Sequence, residues 1–511
     1  MPLGSRLARW AATRPDHLAF ALGEDRMTYG QLLSSATGLA RGIREHRTDA
    51  IRFGQRWPEP LVAISLPNSA SFVRAFVAAD LAGAAVAVLD PAWPPAQAQA
   101  AIGLLRPDSM ITEDPEVARR GPAESERTAW LLPPGDAARA AAPDWAPPDP
   151  AGRFLIGFTS GTTSRPKAFV RTHRSWLESL RHSEAVFAAH ERSVTLAPGP
   201  LAHGLSLYAL AESLFSGGTF VSLPRFSEAE VTAAAERPAP TRFVGVPTMY
   251  QRLLETPRTA SALGTISTFI SSGSKMPPAV LSRLFAAAPG STFLEYYGAS
   301  ELSFVSVSRS TAATAGGAAA TDVTDVGIAF PGVEIQVRDP SGDVLPDRHS
   351  GLVYVRSPLV SDGYLTEERS GFRHDGQWCT VGDYGHLDAG RLHILGREGD
   401  MVIVGGNNVY PSEVEAALRS FGAIEDAYVV AVDDPLRGAK LVAIVSAADA
   451  DRLDTALLRA HLTARLPRYK LPRALAAISR WPMTNSGKVS KEALRAAYLA
   501  AAPDIQELPW N

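Results

Sequence analysis

The sequence predicts an α/β protein with a large domain followed by a small one. At 511 residues, the chain exceeds the size of one compact domain and has ample apolar content for a large core. Apolar runs of strand length alternate with alanine-rich windows of helical period. The same alternation restarts on a smaller scale after Arg397 to Asp400, so we expect the large domain to end there.

The large domain is expected to contain largely parallel sheets, because its candidate strands are short apolar runs separated by helical segments. These runs are Leu61–Ser65, Ala85–Leu89, Thr219–Leu223, Arg242–Val246 and Thr268–Ser272. Another apolar run, Phe154–Phe158, is predicted to be a strand that leads into a ligand-binding loop. The stretch from Phe72 to Leu89 contains Arg74 and Asp80, which favours a buried helix and strand over a membrane span.

The small domain is predicted to be α+β, with a helix over Pro411–Ser420 and strands over Ala427–Val432 and Leu441–Ser446. We therefore place the two domains at residues 1–396 and 397–511. Residues 140–150 are rich in alanine, proline and aspartate, and residues 311–320 are rich in alanine, threonine and glycine. Both segments are expected to be loops of the large domain. No fixed-period repeat is visible.

Composition and charge favour a protein that acts on small molecules. The formal net charge is −3 and the basic residues form no stripe, which gives no support for nucleic-acid binding. Cys379 is the single cysteine, so an internal disulfide framework and a cysteine-rich metal site are excluded. The first fourteen residues lack the uninterrupted apolar core of a signal peptide, and we expect a cytoplasmic protein without a membrane span.

The most informative segment is Thr159–Lys167, which reads Thr-Ser-Gly-Thr-Thr-Ser-Arg-Pro-Lys. Its hydroxyls, its glycine and its closing lysine offer the donors and the positive charge that a polyphosphate requires. Pro166 precedes the lysine and Ala168 follows it, whereas a P-loop NTPase requires Gly-Lys-Ser or Gly-Lys-Thr at this point. The segment therefore predicts an ATP site of another kind.

This segment resembles the signature loop of the adenylate-forming superfamily, which contains acyl- and aryl-CoA ligases, adenylation domains of peptide synthetases, and luciferases. Ser164 stands where glycine is usual. The resemblance extends over nearly the whole chain and implies that family's fold, with stacked mixed and parallel sheets in the large domain and a mobile small domain. It also implies that ATP contacts Thr159, Ser160, Gly161, Thr162, Thr163 and Lys167.

Further motifs occur in the family's order. The segment Tyr296-Tyr297-Gly298-Ala299-Ser300-Glu301 is similar to the family's aromatic-Gly-x-Thr/Ser-Glu motif, which implies that Tyr297 stacks on adenine and that Glu301 is catalytic and supports Mg²⁺. Gly382-Asp383 and Gly396-Arg397 resemble the two ribose contacts, since a carboxylate can accept hydrogen bonds from both ribose hydroxyls. The remaining ATP or AMP contacts implied by the resemblance are Gly273, Glu295, Tyr296, Gly298 and Ser300.

Thr484-Asn485-Ser486-Gly487-Lys488 resembles the C-terminal catalytic motif, which makes Lys488 the expected catalytic lysine. The attack of a carboxylate on the α-phosphorus of ATP brings two anions together. A compact ammonium group at their meeting point would stabilise the crowded negative charge.

The segment from Gly405 to Glu415 resembles the part of the small domain that lines the thiol tunnel, in a form closer to acyl- and aryl-CoA ligases than to peptide-synthetase domains. The expected tunnel and CoA residues are Gly405, Gly406, Asn407, Arg437, Tyr469 and Lys470. At the hinge, Gly399 replaces the aspartate or lysine that is common in the family, and we expect it to make the pivot more permissive.

His203 resembles the family's gating residue at the acid pocket, although a histidine in an apolar loop can equally be structural. The resemblance also places Val246, Ser272 and Gly298 at this pocket. Leu205, Ser206 and Leu207 follow where amino-acid-activating relatives usually have an aspartate, which disfavours a free α-amino acid. The aromatic, sulfur-containing and small residues nearby suit an aromatic or medium-length acyl group.

The resemblance implies a ligase that forms an acyl adenylate and pyrophosphate from Mg-ATP and a small carboxylic acid and then transfers the acyl group to CoA. We expect it to act in secondary metabolism. Three alternatives remain open at this point. The protein could be a ligase that loads a carrier-protein thiol, or a diazotase in which nitrite replaces the carboxylic acid as the small anion and is activated toward an arylamine. It could also be a nucleotide-binding protein without catalysis. A homodimer is compatible with the sequence.

Overall fold

The computed structural model describes residues 3–46, 50–53, 55–114, 128–131, 148–159, 167–235, 239–314, 322, 324–366, 371–404, 407–434, 438–447, 450–483 and 489–510. In this part of the chain, fifteen strands form the larger sheet and seven form a second sheet. The larger sheet contains β1 Leu18–Leu22, β2 Asp25–Thr28, β11 Val194–Leu196, β12 Thr219–Ser222, β13 Arg242–Gly245, β14 Thr268–Ser271, β15 Thr292–Ala299, β16 Ser303–Thr311, β17 Asp325–Ala329, β18 Glu334–Arg338, β19 Gly351–Arg356, β21 Arg373–Asp375, β22 Trp378–Thr380, β23 Asp383–Asp388 and β24 Arg391–Arg397.

The second sheet has the order β20-β10-β9-β6-β5-β7-β8. Its strands are β5 Leu61–Ser65, β6 Ala85–Val88, β7 Ser109–Thr112, β8 Thr128–Leu131, β9 Arg153–Thr159, β10 Lys167–Thr172 and β20 Gly363–Tyr364. A short hairpin, β3 Ala50–Arg52 with β4 Gln55–Trp57, pairs apart from both sheets.

The helices of this large unit begin at sequence signals of several kinds. Thr28, Ser69, Thr172, Ser227 and Thr256 cap helices with their hydroxyls, and Thr28 forms a capping box with Gln31. The helices are α1 Leu3–Thr13, α2 Tyr29–Glu45, α3 Ala70–Leu81, α4 Pro95–Leu105, α5 His173–Val186, α6 Gly204–Ser216, α7 Glu228–Ala234, α8 Pro247–Leu253, α9 Pro257–Ala262 and α10 Pro278–Ala287, with a 3₁₀ turn at Leu263–Thr265.

After β24, the strands pair only among themselves in the described part of the chain. The elements of this C-terminal α+β unit are the hairpin β25 Val402–Val404 and β26 Asn407–Val409, the sheet strands β27 Asp426–Asp434, β28 Gly438–Ser446, β29 Ala474–Ile478 and β30 Ile505–Leu508, the helices α11 Pro411–Arg419, α12 Thr455–Thr463 and α13 Lys491–Leu499, and 3₁₀ turns at Glu398–Asp400, Ala450–Arg452 and Arg468–Lys470. The predicted two-domain α/β fold is confirmed, while the boundary at 396/397 stays a prediction.

The sheets are mixed, as the family fold implied, and less parallel than the apolar runs alone suggested. The pairs from β1 through β12, β11, β13 and β14 to β15 are parallel. From β15 to β24 the strands are antiparallel, because short turns rather than crossover helices connect β15 to β16 and β23 to β24. The segment 311–320, expected to be a loop, begins with Thr311, the last residue of β16. Residues 315–320 lie outside the described residues, as do 140–147.

One hydrophobic core joins both sheets with α1, α2, α3, α5 and α6. Continuous apolar strands such as Leu61–Ser65 are buried along their whole length, which explains why they are visible in the sequence. The C-terminal unit has its own core around β27, β28, α11 and α12.

The C-terminal unit contacts the larger sheet at the end of β24. The ring of Tyr410 stacks on Tyr384 at a centroid distance of 4.8 Å, and the Ser412 hydroxyl donates to the Leu395 carbonyl. A Cβ at Gly396 would lie 2.8 Å from both Tyr410 and Ser412, so only glycine allows this close approach.

No described helix is both long and apolar enough to cross a lipid bilayer.

Asp80 makes the core sensitive to pH. Its carboxylate accepts a 2.5 Å hydrogen bond from the Gly4 amide at the start of α1 and lies 3.7 Å from His173 Nδ1. Burial raises the pKa of Asp80 to about 7 against the opposing effect of the Gly4 bond, and burial lowers the pKa of His173 to about 4. Between pH 5 and 8, Asp80 is therefore the member of this pair that titrates.

We expect Asp80→Asn to remove part of the pH dependence of stability. Because the folded state holds the Asp80 proton more tightly than the unfolded chain, its stabilisation is complete below the ordinary value of 3.8 and is lost as the pH rises through about 7. Relative to the variant, the wild type should lose roughly 2–3 kcal/mol of unfolding free energy between pH 5 and 8. Urea unfolding followed by tryptophan fluorescence measures this difference, and a pH-independent difference would contradict the prediction.

Candidate functional site

The carboxyl ends of parallel strands from both sheets meet at one cavity. In the larger sheet, β13 and β14 are in register at Gly245 and Ser271, and β14 and β15 at Ser271 and Glu295. Ligands of open α/β sheets bind beyond such strand ends. A cavity of about 890 Å³ lies there and is also lined by Val88 and Phe158 of the second sheet.

The cavity brings together many of the residues predicted from the sequence. Those in its lining are Lys167, His203, Val246, Ser300, Glu301, Arg397 and Gly399. Lys167 opens β10 opposite Thr159, the last residue of β9. Ser160, Gly161, Thr162 and Thr163 of the phosphate loop lie outside the described residues.

Asp383 lies next to two residues of the cavity lining, Gly382 and Arg397. This buried carboxylate follows Gly382, a lining residue, and its Oδ1 accepts a 2.7 Å hydrogen bond from Arg397 Nε across the β23–β24 pair. Its Oδ2 accepts from the Tyr297 hydroxyl. Burial and the Asp383 charge raise the pKa of Tyr297 well above its usual range, so Tyr297 stays a hydrogen-bond donor.

Glu301 lies beside this group in a second network. The Tyr364 hydroxyl donates to Glu301 Oε1, and the Glu301 carbonyl accepts from the Ser361 amide at 2.7 Å. The buried Arg171 of β10 belongs to the same region. It donates to the carbonyls of Leu359 and Ser300 at 2.6 and 2.9 Å. Burial lowers the pKa of Arg171 to about 10, which leaves the guanidinium charged at neutral pH.

The other end of the cavity carries aromatic and apolar side chains together with the polar lining residues Asp90, His203, Gln97 and Ser206. Trp93 packs edge-to-face on Phe158 at 5.1 Å, and Phe169, Val246 and Met249 complete the wall. His203 precedes α6, and its Nε2 lies 3.0 Å from Asp90 Oδ2.

The loop that carries His203 is anchored by Asn68, which lies just before α3 in the chain. The Asn68 side chain accepts from the Leu201 amide at 2.7 Å and donates to the carbonyls of Gly199 and Leu223 at 2.9 Å. These bonds connect the loop to the core and to the strand end at Leu223. His203 therefore lies in a fixed part of the wall.

Comparisons with known proteins agree with this arrangement. The family model described as AMP-binding enzyme matches residues 7–365, and the model of the AMP-binding enzyme C-terminal domain matches residues 413–488. The chain belongs to the AMP-binding enzyme family. This confirms the superfamily resemblance, and the chain is an AMP-forming ligase.

Relatives and solved structures of this AMP-binding enzyme extend over its full length. An uncharacterized acyl-CoA ligase, YhfT of Bacillus subtilis, is 31% identical over 95% of this chain and 96% of the relative. A feruloyl-CoA synthase of Amycolatopsis sp. is 31% identical over 96% of this chain and 98% of its own. ATP-bound MatB from Rhodopseudomonas palustris superposes with a TM-score of 0.81 at 26% identity, covering 98% of this chain and 99% of MatB. The amide bond synthetase McbA from Marinactinospora thermotolerans superposes with a TM-score of 0.82 at 25% identity, covering 98% and 100%.

Several predicted nucleotide residues of this AMP-binding enzyme lie behind the cavity lining. Glu295 is buried, and its carboxylate binds Lys275 Nζ at 2.6 Å and the Met276 amide at 2.5 Å, which anchors the turn containing Gly273 and Ser272. The Tyr296 ring packs on Phe304 at 4.6 Å, on the sheet face opposite to Tyr297. The roles of these residues at ATP and at the acid stay predictions.

Steric crowding explains why position 298 is a glycine. A Cβ at this position would lie 2.1 Å from the carbonyl oxygen of Ser303 on the neighbouring strand β16. Only glycine allows this approach, and it brings Ala299, Ser300 and Glu301 to the cavity.

Of the predicted CoA residues, the described Asn407, Tyr469 and Lys470 do not line the cavity. Lys470 Nζ binds both oxygens of Glu413, at 2.7 and 2.6 Å, and thereby connects the last 3₁₀ turn to α11. Tyr469 is 40% exposed, and Asn407, the first residue of β26, is exposed as well. Gly405, Gly406, Arg437 and Lys488 lie outside the described residues.

The hinge glycine is not required by this conformation. Gly399 lies in the 3₁₀ turn Glu398–Asp400, and a Cβ there would meet no atom within 4 Å. Its predicted effect on the rotation of the C-terminal unit therefore concerns another conformation and stays a prediction.

The residues around Glu301 suit Mg²⁺ bound together with substrate phosphates. The described residues contain no cluster of three or more potential metal-ligating side chains. Mg²⁺ usually binds through one or two carboxylates plus phosphate oxygens and water, which requires no larger cluster. Glu301 would hold the ion, with its carboxylate oriented by Tyr364.

Asp90, Arg171 and Tyr364 were not predicted from the sequence. Asp90 comes after the buried strand β6. A polar residue directly after an apolar run, at the carboxyl end of a strand, was a usable signal. Arg171 is a charged residue within the apolar strand β10, which was a second signal. Tyr364 belongs to a two-residue strand without any local pattern.

We expect Asp383→Asn to weaken AMP binding about 10- to 100-fold, because hydrogen bonds to a charged acceptor contribute roughly 1.5–3 kcal/mol. The matched control is Asp388→Asn on the same strand, where an exposed carboxylate pairs with Arg348 at 2.9 Å. Isothermal titration calorimetry with AMP measures both variants. Unchanged affinity in Asp383→Asn, or equal losses in the two variants, would contradict the assignment.

Proposed function

We propose that this enzyme joins an aromatic or medium-length carboxylic acid to CoA through an acyl adenylate formed from ATP. The observation that carries the proposal is the single cavity that connects a charged end, with Arg397 and Glu301, to an apolar end, with Trp93 and Met249. A mixed anhydride between AMP and an apolar acid has this division of polarity. The acyl-CoA ligase names of the full-length relatives support the same chemistry.

In the first step, a carboxylate oxygen of the acid attacks the α-phosphorus of ATP and pyrophosphate leaves. Asp383 would accept the ribose hydroxyls, since each of its oxygens retains an acceptor position beside the bonds to Arg397 and Tyr297. Lys488 would neutralise the charge that develops between the carboxylate and the α-phosphate. Mg²⁺ held by Glu301 would supply further positive charge at the phosphates.

In the second step, the sulfur of the CoA thiol attacks the acyl carbon, the thiol loses its proton, and AMP leaves. AMP is a far better leaving group than hydroxide, so the first step makes the second feasible. The C-terminal unit would rotate between the steps and present residues 405–408 to the adenylate.

The experiment that tests the function is pyrophosphate release from Mg-ATP over aromatic, medium-chain and dicarboxylic acids, each with and without CoA, with mass spectrometry of the products. We expect release with one acid class and an acyl-CoA product. Release without an acyl-CoA product would point to a carrier-protein thiol, and release with nitrite and an arylamine alone would identify a diazotase. Nucleotide binding without turnover of any substrate would leave a non-catalytic protein.

We expect Lys488→Ala to reduce adenylate formation by at least about 100-fold, the loss typical of removing one group that stabilises transition-state charge. Thioester formation from a supplied acyl adenylate should persist, because that step does not require the lysine. Arg480→Ala, which removes a cation that is 84% exposed in the same unit, is the control. Equal loss of both half-reactions in Lys488→Ala would mean that the lysine is structural.

A further inference from the structure

Asp90 and His203 form a hydrogen-bonded pair at the largely apolar end of the cavity. Asp90 follows β6 and His203 precedes α6, so the pair joins residues 113 positions apart. The Asp90 side chain is 11% exposed and that of His203 is 24% exposed, and both line the cavity. The pair is therefore built into the wall and remains accessible from the cavity.

The geometry of Asp90 leaves acceptor positions for a ligand. Oδ2 binds His203 Nε2 at 3.0 Å, and Oδ1 accepts the Ala92 amide at 2.9 Å. An ionised carboxylate has about four acceptor positions, so those two bonds do not exhaust it. Burial alone would raise the pKa of Asp90, but the bonds from His203 and Ala92 lower it below its usual value, which keeps the group ionised.

The cations of the cavity lie elsewhere. In the described part of its lining, the lysine and arginine side chains are Lys167, at the start of β10 beside the phosphate loop, and Arg397, which binds Asp383. The groups that lower the pKa of Asp90 are His203 and Ala92. A ligand group that reaches Asp90 therefore meets a carboxylate paired with His203, beside the rings of Trp93 and Phe158.

This charge distribution discriminates between acids. A second carboxylate on the acid would be repelled by Asp90 in a poorly solvated pocket. A ring amino or hydroxyl group would donate to Asp90 and satisfy it. The aromatic pair Trp93–Phe158 offers a flat surface next to the dyad.

We propose that Asp90, paired with His203, determines the specificity of the acid pocket, which selects aromatic acids that carry a ring amino or hydroxyl group and rejects dicarboxylic acids. This inference rests on the proposed function, because it assigns the acid of that reaction. It also gives His203 a defined part, since the imidazole holds the carboxylate against the wall.

The test compares wild type and Asp90→Asn in kcat/KM for pyrophosphate release. The acids are benzoate, its amino and hydroxy derivatives at each ring position, and the benzenedicarboxylates, with the corresponding cinnamates as a longer series. Asparagine keeps the shape and the acceptor for the Ala92 amide and removes the charge. Asp343→Asn, in an exposed turn, is the matched control.

In the wild type, we expect at least one donor-bearing acid to exceed the unsubstituted acid by about tenfold or more. Asp90→Asn should lose this preference and should use a dicarboxylate better relative to the unsubstituted acid, a change in selectivity that a merely structural role would not produce. If the wild type uses unsubstituted or dicarboxylic acids equally well, or if the variant keeps the preference, the inference is wrong and the proposed function stands. If no acid releases pyrophosphate, the proposed function fails and the inference fails with it.

Discussion

The interaction of Asp383 with Arg397 and Tyr297 is the constraint on which the nucleotide end of the cavity depends. A buried carboxylate is costly unless it is paired and hydrogen-bonded, so Asp383 must keep both partners close. Tyr297 belongs to the last parallel strand, β15, whereas Asp383 and Arg397 begin and end the antiparallel pair β23–β24. The same bonds thus join the two halves of the sheet and fix the point from which the chain enters the C-terminal unit.

The parallel half of the fold could be predicted from the sequence because its strands are buried on both faces. Leu61–Ser65 appears in the sequence and in the structure with the same bounds, and Arg242–Gly245 differs from the prediction by one residue. The antiparallel half was missed because its strands alternate between buried and partly exposed residues. In Asp383–Asp388, for example, only Asp383 and Gly385 are buried and polar residues interrupt the strand, so no continuous apolar run marks it.

The candidate site divides in the same way. Glu301, Asp383 and Arg397 were predicted because local motifs carry them, and the structure brings them together. Arg171 and Tyr364 orient this group through contacts across 129 and 63 positions of the chain, and neither contact has a local signal. Motif resemblance therefore identifies residues at the ligand, whereas the residues that support them depend on tertiary packing.

The carboxylates at the two ends of the cavity are paired with different side chains, and this difference orients the acid. Asp383 is paired with an arginine beside the nucleotide end, whereas Asp90 is paired with a histidine among aromatic side chains. A carboxylate substrate is repelled from the end with Asp90, whereas the nucleotide end carries Lys167 and Arg397 beside the carboxylates of Glu301 and Asp383. We infer that the acid enters with its carboxylate toward the phosphates and its ring toward Trp93. The fixed charges of the wall thus favour the orientation in which adenylation can occur.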